Sequence, residues 1–353
     1  MRLYEKLQKQ TYIIAEMSAN HAGSYAHAKE LIHAAKEAGA DCIKIQTYTP
    51  DTLTINCDNK YFRIQGGTWS GQTLYQLYEK AYTPWEWQAD LKAEAEKIGI
   101  DFFSTPYDKT SVDFLEGIGV EFYKIASFEL VDIPFIQYVA STGKPMILST
   151  GMASLDEIRE AAEAVRSMGN EQFALLYCTS AYPAAADQMN LRTMADMKEL
   201  FGVPVGLSDH SLGSAAAVTA AAMGAAIIEK HFCLGKEYEN PDVSFSMNPD
   251  EFKQMVDDIR QAEQAIGNVR YGPSQQEKGN MIFRRSIFCT QDIKKGECLT
   301  EQNVKIIRPG YGMAPKFYPH ILGAAAVKDI QRGTPVDFSM IKTDSPIIRK
   351  ELT

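Results

Sequence analysis

Residues 203–232 read VPVGLSDHSLGSAAAVTAAAMGAAIIEKHF. Two apolar, β-rich runs, VPVGLSD (203–209) and AAIIEKHF (225–232), flank a segment of helical character. Parallel strands need such a crossover, because the helix carries the chain back to the start of the next strand. The same unit recurs upstream. YIIAEM (12–17), CIKIQTY (42–48), DFFSTPY (101–107), FYKIAS (122–127), PMILST (145–150) and FALLYC (173–178) each precede a helical segment, among them AHAKELIHAAKEAGA and LDEIREAAEAVRSMG. Ser154 opens the second of these in the pattern of a helix N-cap. Eight strand–helix pairs in about 265 residues match the length of a (β/α)8 barrel. A doubly wound sheet would want a Gly-x-Gly-x-x-Gly turn after its first strand, and this chain has SANHAGS there. The predicted fold is therefore α/β, a (β/α)8 TIM barrel over 1–268.

Two stretches depart from that rhythm. Residues 51–85, with GGTWSGQTLYQLY, form a long insertion after the second strand, predicted to lie over the C-terminal mouth of the barrel. Residues 269–282 are polar and turn-rich, and read as a linker. From 283 to 353 short strands and turns replace the long helices. There Asp292-Ile-Lys-Lys-Gly296 is echoed by Asp329-Ile-Gln-Arg-Gly333, which predicts a small pseudo-symmetric β-rich domain.

The chain has 353 residues and a formal net charge of -9, which argues against nucleic acid as a partner. An anionic substrate must then be met by local donors. The charged N-terminus and the lack of a long apolar run argue against a membrane. Six scattered cysteines without a Cys-x-x-Cys pair fit a reduced, cytoplasmic setting. Cys42, Cys178 and Cys233 read as small hydrophobes in strand-like segments.

The active site of such a barrel lies at the C-terminal strand ends. Those ends carry Glu16, Asn20 and His21; Lys44 and Gln46; Ser104 and Thr105; Lys124, Ser127 and Glu129; Ser149 and Thr150; Thr179, Ser180 and Tyr182; Ser208, Asp209 and His210; Glu229, Lys230 and His231. Lys44 and Lys124 interrupt apolar runs. Either they sit outside, paired with carboxylates under a helix, or they face inward to an anion cradled by the Ser/Thr pairs. His210 and His231 end adjacent strands, close enough to share one divalent metal with open positions for water and substrate. Glu16 and Glu129 are candidate acid/base groups, or ion-pair partners of the lysines. Asp209 reads as a partner orienting His210. His27 and His33 read as surface residues.

The motifs IAEMSANHAGS, IKIQTYTPDTLT, FFSTPYD, YKIASFEL, LSTGMAS, CTSAYP, GLSDHS and IEKHF resemble the sialic acid synthase family in order and spacing. IKKGECLTEQNVKIIRPG resembles that family's antifreeze-like (SAF) domain. Within the family, SANHAGS, TYTPDTLT and the insertion look most like the synthases that make pseudaminic acid. The resemblance implies condensation of phosphoenolpyruvate with a 2,4-diacetamido-2,4,6-trideoxy hexose, releasing phosphate. It implies Mn²⁺ or Mg²⁺ on His210 and His231. It places phosphoenolpyruvate on Lys44, Thr105, Lys124, Ser127, Ser149 and Ser208, and sets Glu16, Gln46, Glu129, Tyr182 and Asp242 toward the sugar or metal-bound water. It also implies a domain-swapped homodimer in which Arg308 reaches the partner's site. The family often has NHNG or NHEG where this chain has Asn20-His21-Ala22-Gly23. Sialic acid synthases tend to carry Asn at the position of Ser180, which favours a different nonulosonate as product. Two other readings stay open on the residues alone: a Schiff-base aldolase using Lys124 or Lys44, and a carbohydrate-binding module on an inert barrel.

Overall fold

The computed structural model describes residues 3–7, 9–67, 69–342 and 345–351. It divides into two compact units, meeting in sequence between Gly267 and Asn268. In the first, eight parallel strands close into a barrel in chain order: β1 (Tyr12–Glu16), β2 (Cys42–Thr47), β3 (Asp101–Pro106), β4 (Tyr123–Ile125), β5 (Met146–Ser149), β6 (Phe173–Cys178), β7 (Val205–Asp209) and β8 (Ile227–His231). β8 pairs with β1, setting His231 opposite Glu16.

Side chains alternate across each strand, so the barrel has two radial faces. Ile13, Ala15, Ile43, Ile45 and Leu175 face outward and join the large core under the helices. Tyr12, Ile14, Cys42, Phe103, Phe122, Ile147, Leu176 and Ile227 form a separate apolar cluster within the barrel. The helix Leu3–Leu7, not anticipated from the sequence, adds Leu3 and Leu7 to that cluster. Two residues further along the same inner face, the apolar layer gives way to Glu16, Lys44, Thr105, Lys124, Ser149 and Glu229, all buried. The chemistry-bearing layer is thus the next storey of one continuous interior column.

Loop chemistry fixes the helices that follow. Ser154 accepts from Glu157 N, while Glu157 Oε2 accepts from Ser154 N at 2.7 Å, closing a capping box at the start of Leu155–Ser167. Gly206 is required by contact: a Cβ there would lie 2.3 Å from the Ile227 carbonyl oxygen. That close approach holds β7 against β8 and brings their ends together.

The second unit carries β9 (Ser286–Cys289) paired antiparallel with β10 (Val304–Ile307), and β11 (Ala325–Ala326) with β12 (Ile341–Lys342). Ile287, Leu299, Val304, Ile321 and Val336 centre its core. The echoed pentapeptides face each other. Ile293 and Ile330 exchange N–H···O bonds of 2.8 Å. Asp329 Oδ1 accepts from Lys295 N, and Asp292 Oδ1 accepts from Arg332 N, both at 2.8 Å. The same sequence device is used twice about a local two-fold. Part of the stretch read as a linker is helical, at Gln275–Lys278 and Gly279–Phe283.

Candidate active site

A cavity of about 360 Å³ opens at the C-terminal mouth of the barrel. Its floor is a buried quartet of charges. Lys44 Nζ lies 2.5 Å from Glu16 Oε2 and 3.5 Å from Glu229 Oε1. Lys124 Nζ lies 2.5 Å from the same Glu229 oxygen. Both lysines face inward, so the outward alternative is excluded by the structure. Burial opposes the charge on Lys44, yet Glu16 and Glu229 outweigh it and hold its pKa above the ordinary value. Burial pulls Lys124 down, with Glu229 pushing it back up. Burial also raises Glu16, whereas the two ammoniums overcome burial at Glu229 and lower it. Gln46 Nε2 donates to Glu16 Oε1 and Ser18 Oγ, both at 3.0 Å, and Thr105 Oγ1 accepts from Lys44 Nζ at 3.2 Å. These contacts fix the rotamers of the floor.

One side of the floor is a hydroxyl cradle. Gly151 N donates to Ser127 Oγ at 3.1 Å. A Cβ on Gly151 would lie 2.1 Å from Ser180 Oγ and 2.8 Å from Ser127 Oγ, so only glycine lets those hydroxyls close in. Ser149 Oγ is buried and has no hydrogen-bond partner among the described residues. Unspent hydroxyls beside an ammonium suit the oxygens of a phosphate or carboxylate.

The opposite side is imidazole. The rings of His210 and His231 lie 5.4 Å apart between centroids. His210 Nδ1 sits 3.2 Å from the Thr179 carbonyl oxygen, so a proton there leaves the lone pair on Nε2. His231 Nδ1 is buried and unpartnered among the described residues, 3.9 Å from Asp242 Oδ2. Burial, reinforced by His210 and the lysines, drives His231 well below its ordinary pKa and keeps it neutral. A neutral imidazole with an unspent nitrogen beside a carboxylate is the donor chemistry that Mn²⁺ or Mg²⁺ would need, so these residues fit the group. Among the described residues no set of three or more His, Cys, Asp and Glu is arranged as a metal site. A metal here would complete its coordination with water or substrate oxygens. Asp242 is buried, accepts from Ala19 N at 3.3 Å, and has its carboxyl raised chiefly by burial.

Glu129 follows β4 in a short 3-10 turn, Ser127–Glu129. Its Oε2 is sealed from solvent and has no hydrogen-bond partner among the described residues, and burial pushes its carboxyl up to about 7. Tyr182 packs on His210 with centroids 4.4 Å apart and on Phe245 at 5.1 Å. The insertion covers the mouth: Leu53, Ile64, Trp69, Leu74, Leu77 and Tyr78 line the cavity from above.

Of the residues singled out in sequence, Glu16, Lys44, Gln46, Lys124, Ser127, Glu129, Ser149, Tyr182, Ser208, His210, His231 and Asp242 line this cavity. Thr105 and Ser180 do not line it: Thr105 stands behind Lys44, and Ser180 Oγ lies 3.6 Å from the buried Cys178 Sγ. Arg308 is exposed at the end of β10, in the second unit. Several expectations are corrected. Asp209 does not orient His210; it faces the other way and holds Lys230 Nζ at 2.7 Å and Ser211 N at 2.8 Å. Lys230 is an outward, buried ion-pair partner, and Ser104 bonds Thr47 at 2.6 Å on that same outer side. His27 is buried against Tyr238, ring centroids 4.1 Å apart, not on the surface. Cys178 is more than a hydrophobe. Burial raises its pKa, but the bonds with His210 and Ser180 outweigh that and bring the thiol to about 7. Sequence reasoning named Glu229 among the strand-end residues but gave it no role, and it missed Phe245. Glu229 shares the inner face with His231 by strand alternation, a signal that was readable. Phe245 comes from the loop after β8, where no periodicity marks it.

An inward quartet of charges, a hydroxyl cradle and a histidine pair at the strand ends define a TIM-barrel enzyme that grips an anionic substrate. The profile of the NeuB family matches residues 31–271, and that of the SAF domain matches residues 284–342. The chain is 49% identical over 325 residues to a pseudaminic acid synthase of Campylobacter jejuni, covering 92% of this chain and 95% of that one. It is 45% identical to a pseudaminic acid synthase of Helicobacter pylori, covering 92% and 96%. A crystal structure of the N-acetylneuraminic acid (sialic acid) synthetase of Leptospira borgpetersenii with citrate superposes with a TM-score of 0.68 at 31% identity, covering 77% of this chain and 90% of that one. The chain belongs to the NeuB family.

Proposed function

We propose that the chain is a pseudaminic acid synthase, which condenses phosphoenolpyruvate with 2,4-diacetamido-2,4,6-trideoxy-L-altrose and water to give pseudaminic acid and phosphate. The observation that carries this reading is the paired-lysine floor lying between the hydroxyl cradle and the two imidazoles, in a chain 45–49% identical to pseudaminic acid synthases. Lys44 and Lys124 hold the anionic groups of phosphoenolpyruvate, and Ser127, Ser149, Ser208 and the Gly151 turn take its oxygens. Gln46, Tyr182 and Asp242 position the open-chain sugar so that its aldehyde carbon faces C3 of the enol. Such positioning removes much of the entropic barrier to a bimolecular step. His210 and His231 would hold Mn²⁺ or Mg²⁺, which supplies Lewis-acid polarisation of oxygen when bound.

The enol π pair forms the new carbon–carbon bond, and the aldehyde oxygen takes a proton to become a hydroxyl. Water adds at C2, and Glu129 accepts its proton. The bond from C2 to the phosphate ester oxygen then breaks with its electron pair leaving on phosphate, and the C2 hydroxyl gives its proton to the departing phosphate as C2 becomes the product ketone. By family resemblance the enzyme works in the cytoplasm as a domain-swapped homodimer, with Arg308 of one copy reaching the other copy's site. No helix among the described residues is long and apolar enough to cross a membrane.

The test is phosphate release by the purified chain with phosphoenolpyruvate, Mn²⁺ or Mg²⁺ and a panel of amino sugars, with product mass as second readout. Turnover of the 2,4-diacetamido-2,4,6-trideoxy hexose is expected. Silence with every sugar would defeat the proposal. The lowered pKa of Lys124 is what a Schiff-base aldolase would want. A lysine adduct trapped by borohydride would favour that second reading instead.

A further inference from the structure

The cavity is chemically two-sided. Its floor is charged, while its aliphatic lining comes almost wholly from the insertion, as Leu53, Ile64, Leu74 and Leu77. A pocket built only for a polyhydroxylated chain has no use for such a wall, since each sugar hydroxyl turned toward it loses a water without gaining a partner.

The wall is also held in place before any substrate arrives. Ile64 N donates to the Gln72 carbonyl at 2.9 Å, Gly71 N to the Ile64 carbonyl at 3.1 Å, and Leu74 N to the Phe62 carbonyl at 2.9 Å. Thr73 and Gln76 form the capping box of the helix Leu74–Ala81. Trp69 Nε1 donates to the Pro241 carbonyl at 3.0 Å and pins the hairpin to the loop that carries Asp242. A surface fixed in this way selects by shape and polarity, because little ordering is left to do on binding.

We infer that Ile64 and Leu74 are specificity-determining residues: they form an apolar seat for the methyl of a deoxygenated carbon and the acyl methyl of an amide on the sugar, and so reject sugars carrying a hydroxyl there. The inference rests on the proposed synthase reaction and deepens it. One methyl in an apolar pocket is worth about 10–200-fold in discrimination.

The experiment compares kcat/KM for the 2,4-diacetamido-2,4,6-trideoxy sugar with that for N-acetylmannosamine, a 6-hydroxy sugar, in the wild type, Ile64→Asn, Leu74→Gln and the conservative Ile64→Leu. Circular dichroism and the KM for phosphoenolpyruvate serve as controls of folding and of the charged floor. The wild-type preference should be on the order of 100-fold. It should fall roughly tenfold in Ile64→Asn and Leu74→Gln, largely through the sugar's KM, and persist in Ile64→Leu. If the wild type turns over the deoxy sugar but the preference is unchanged in the polar variants, the wall is not the selector and the synthase reading stands. If the wild type turns over neither sugar, both fall.

Discussion

Lys124 and Glu229, 105 residues apart in sequence, meet across the barrel interior with Nζ 2.5 Å from Oε1. The same carboxylate stands 3.5 Å from Lys44, so a single residue neutralises part of both ammoniums. Glu229 therefore decides whether two buried positive charges can coexist one storey above an apolar core.

Glu229→Gln should leave the buried Lys44 and Lys124 under-compensated. Removing one partner of a buried ion pair costs about 3–5 kcal/mol. Urea unfolding should show a loss of that order together with loss of phosphate release. The double variant Lys124→Met, Glu229→Leu should recover most of the stability and none of the activity. Equal stability of Glu229→Gln and wild type would refute the shared role of this carboxylate.

The sequence carried the barrel because its signal is local and repeated: eight β-rich runs, each followed by a helix. It carried most of the floor for the same reason, since alternation along β1, β2 and β4 puts Glu16, Lys44 and Lys124 two residues beyond the inner apolar layer. What it did not carry is which polar residue at a strand end turns which way. Asp209, His210 and Ser211 are consecutive, yet Asp209 turns outward to Lys230 while His210 lines the cavity. Proximity in sequence suggested that Asp209 serves His210, and the pleat forbids it. Phe245 and the Trp69 clamp were hidden for another reason. Both depend on long loops meeting over the mouth, and no periodic pattern encodes such a meeting.

His231 packs its ring 4.9 Å from Phe245 and keeps a buried nitrogen unspent. His231→Ala removes that nitrogen and should abolish turnover while unfolding stays cooperative, with a stability loss of about 0.5–3 kcal/mol, the usual range for a point change. Calorimetric titration of Mn²⁺ into the apo protein should show affinity weakened by at least about 100-fold relative to wild type, exceeding the usual loss for an outer-shell change. Chelator treatment should silence the wild type, and added Mn²⁺ should restore it. Undiminished Mn²⁺ binding in the variant would remove the metal role from this residue.

Glu129 supplies the pH dependence. Its folded carboxyl is raised to about 7 by burial, from 4.5 in the open chain. The folded protein thus binds a proton more tightly than the unfolded one between those values. Stability falls as pH rises from about 4.5 through about 7, and is flat on either side. Glu129→Gln should remove this slope, on the order of 2 kcal/mol once the partial access of solvent to the side chain is discounted. Activity runs the opposite way, because only the carboxylate can take a proton from water. The kcat/KM of wild type should climb with pH to a midpoint near 7, and this limb should be absent from the residual activity of Glu129→Gln. A limb that survives in the variant would assign the base elsewhere.

Arg308 leaves the exposed end of β10 in a unit separate from the barrel, and its proposed role requires a second copy of the chain. Subunit complementation tests this directly. Arg308→Ala and His231→Ala should each be inactive alone. If the arginine acts across a domain-swapped dimer, unfolding and refolding the two together makes mixed dimers in which one barrel has its histidine and receives an intact arginine. With random pairing, half the dimers are mixed and each has one good site of two, so activity should return to about a quarter of wild type. If Arg308 instead served its own barrel, each mixed dimer would contain one barrel without the arginine and one without the histidine. The mixture would stay silent, and the swapped arrangement would have to be abandoned.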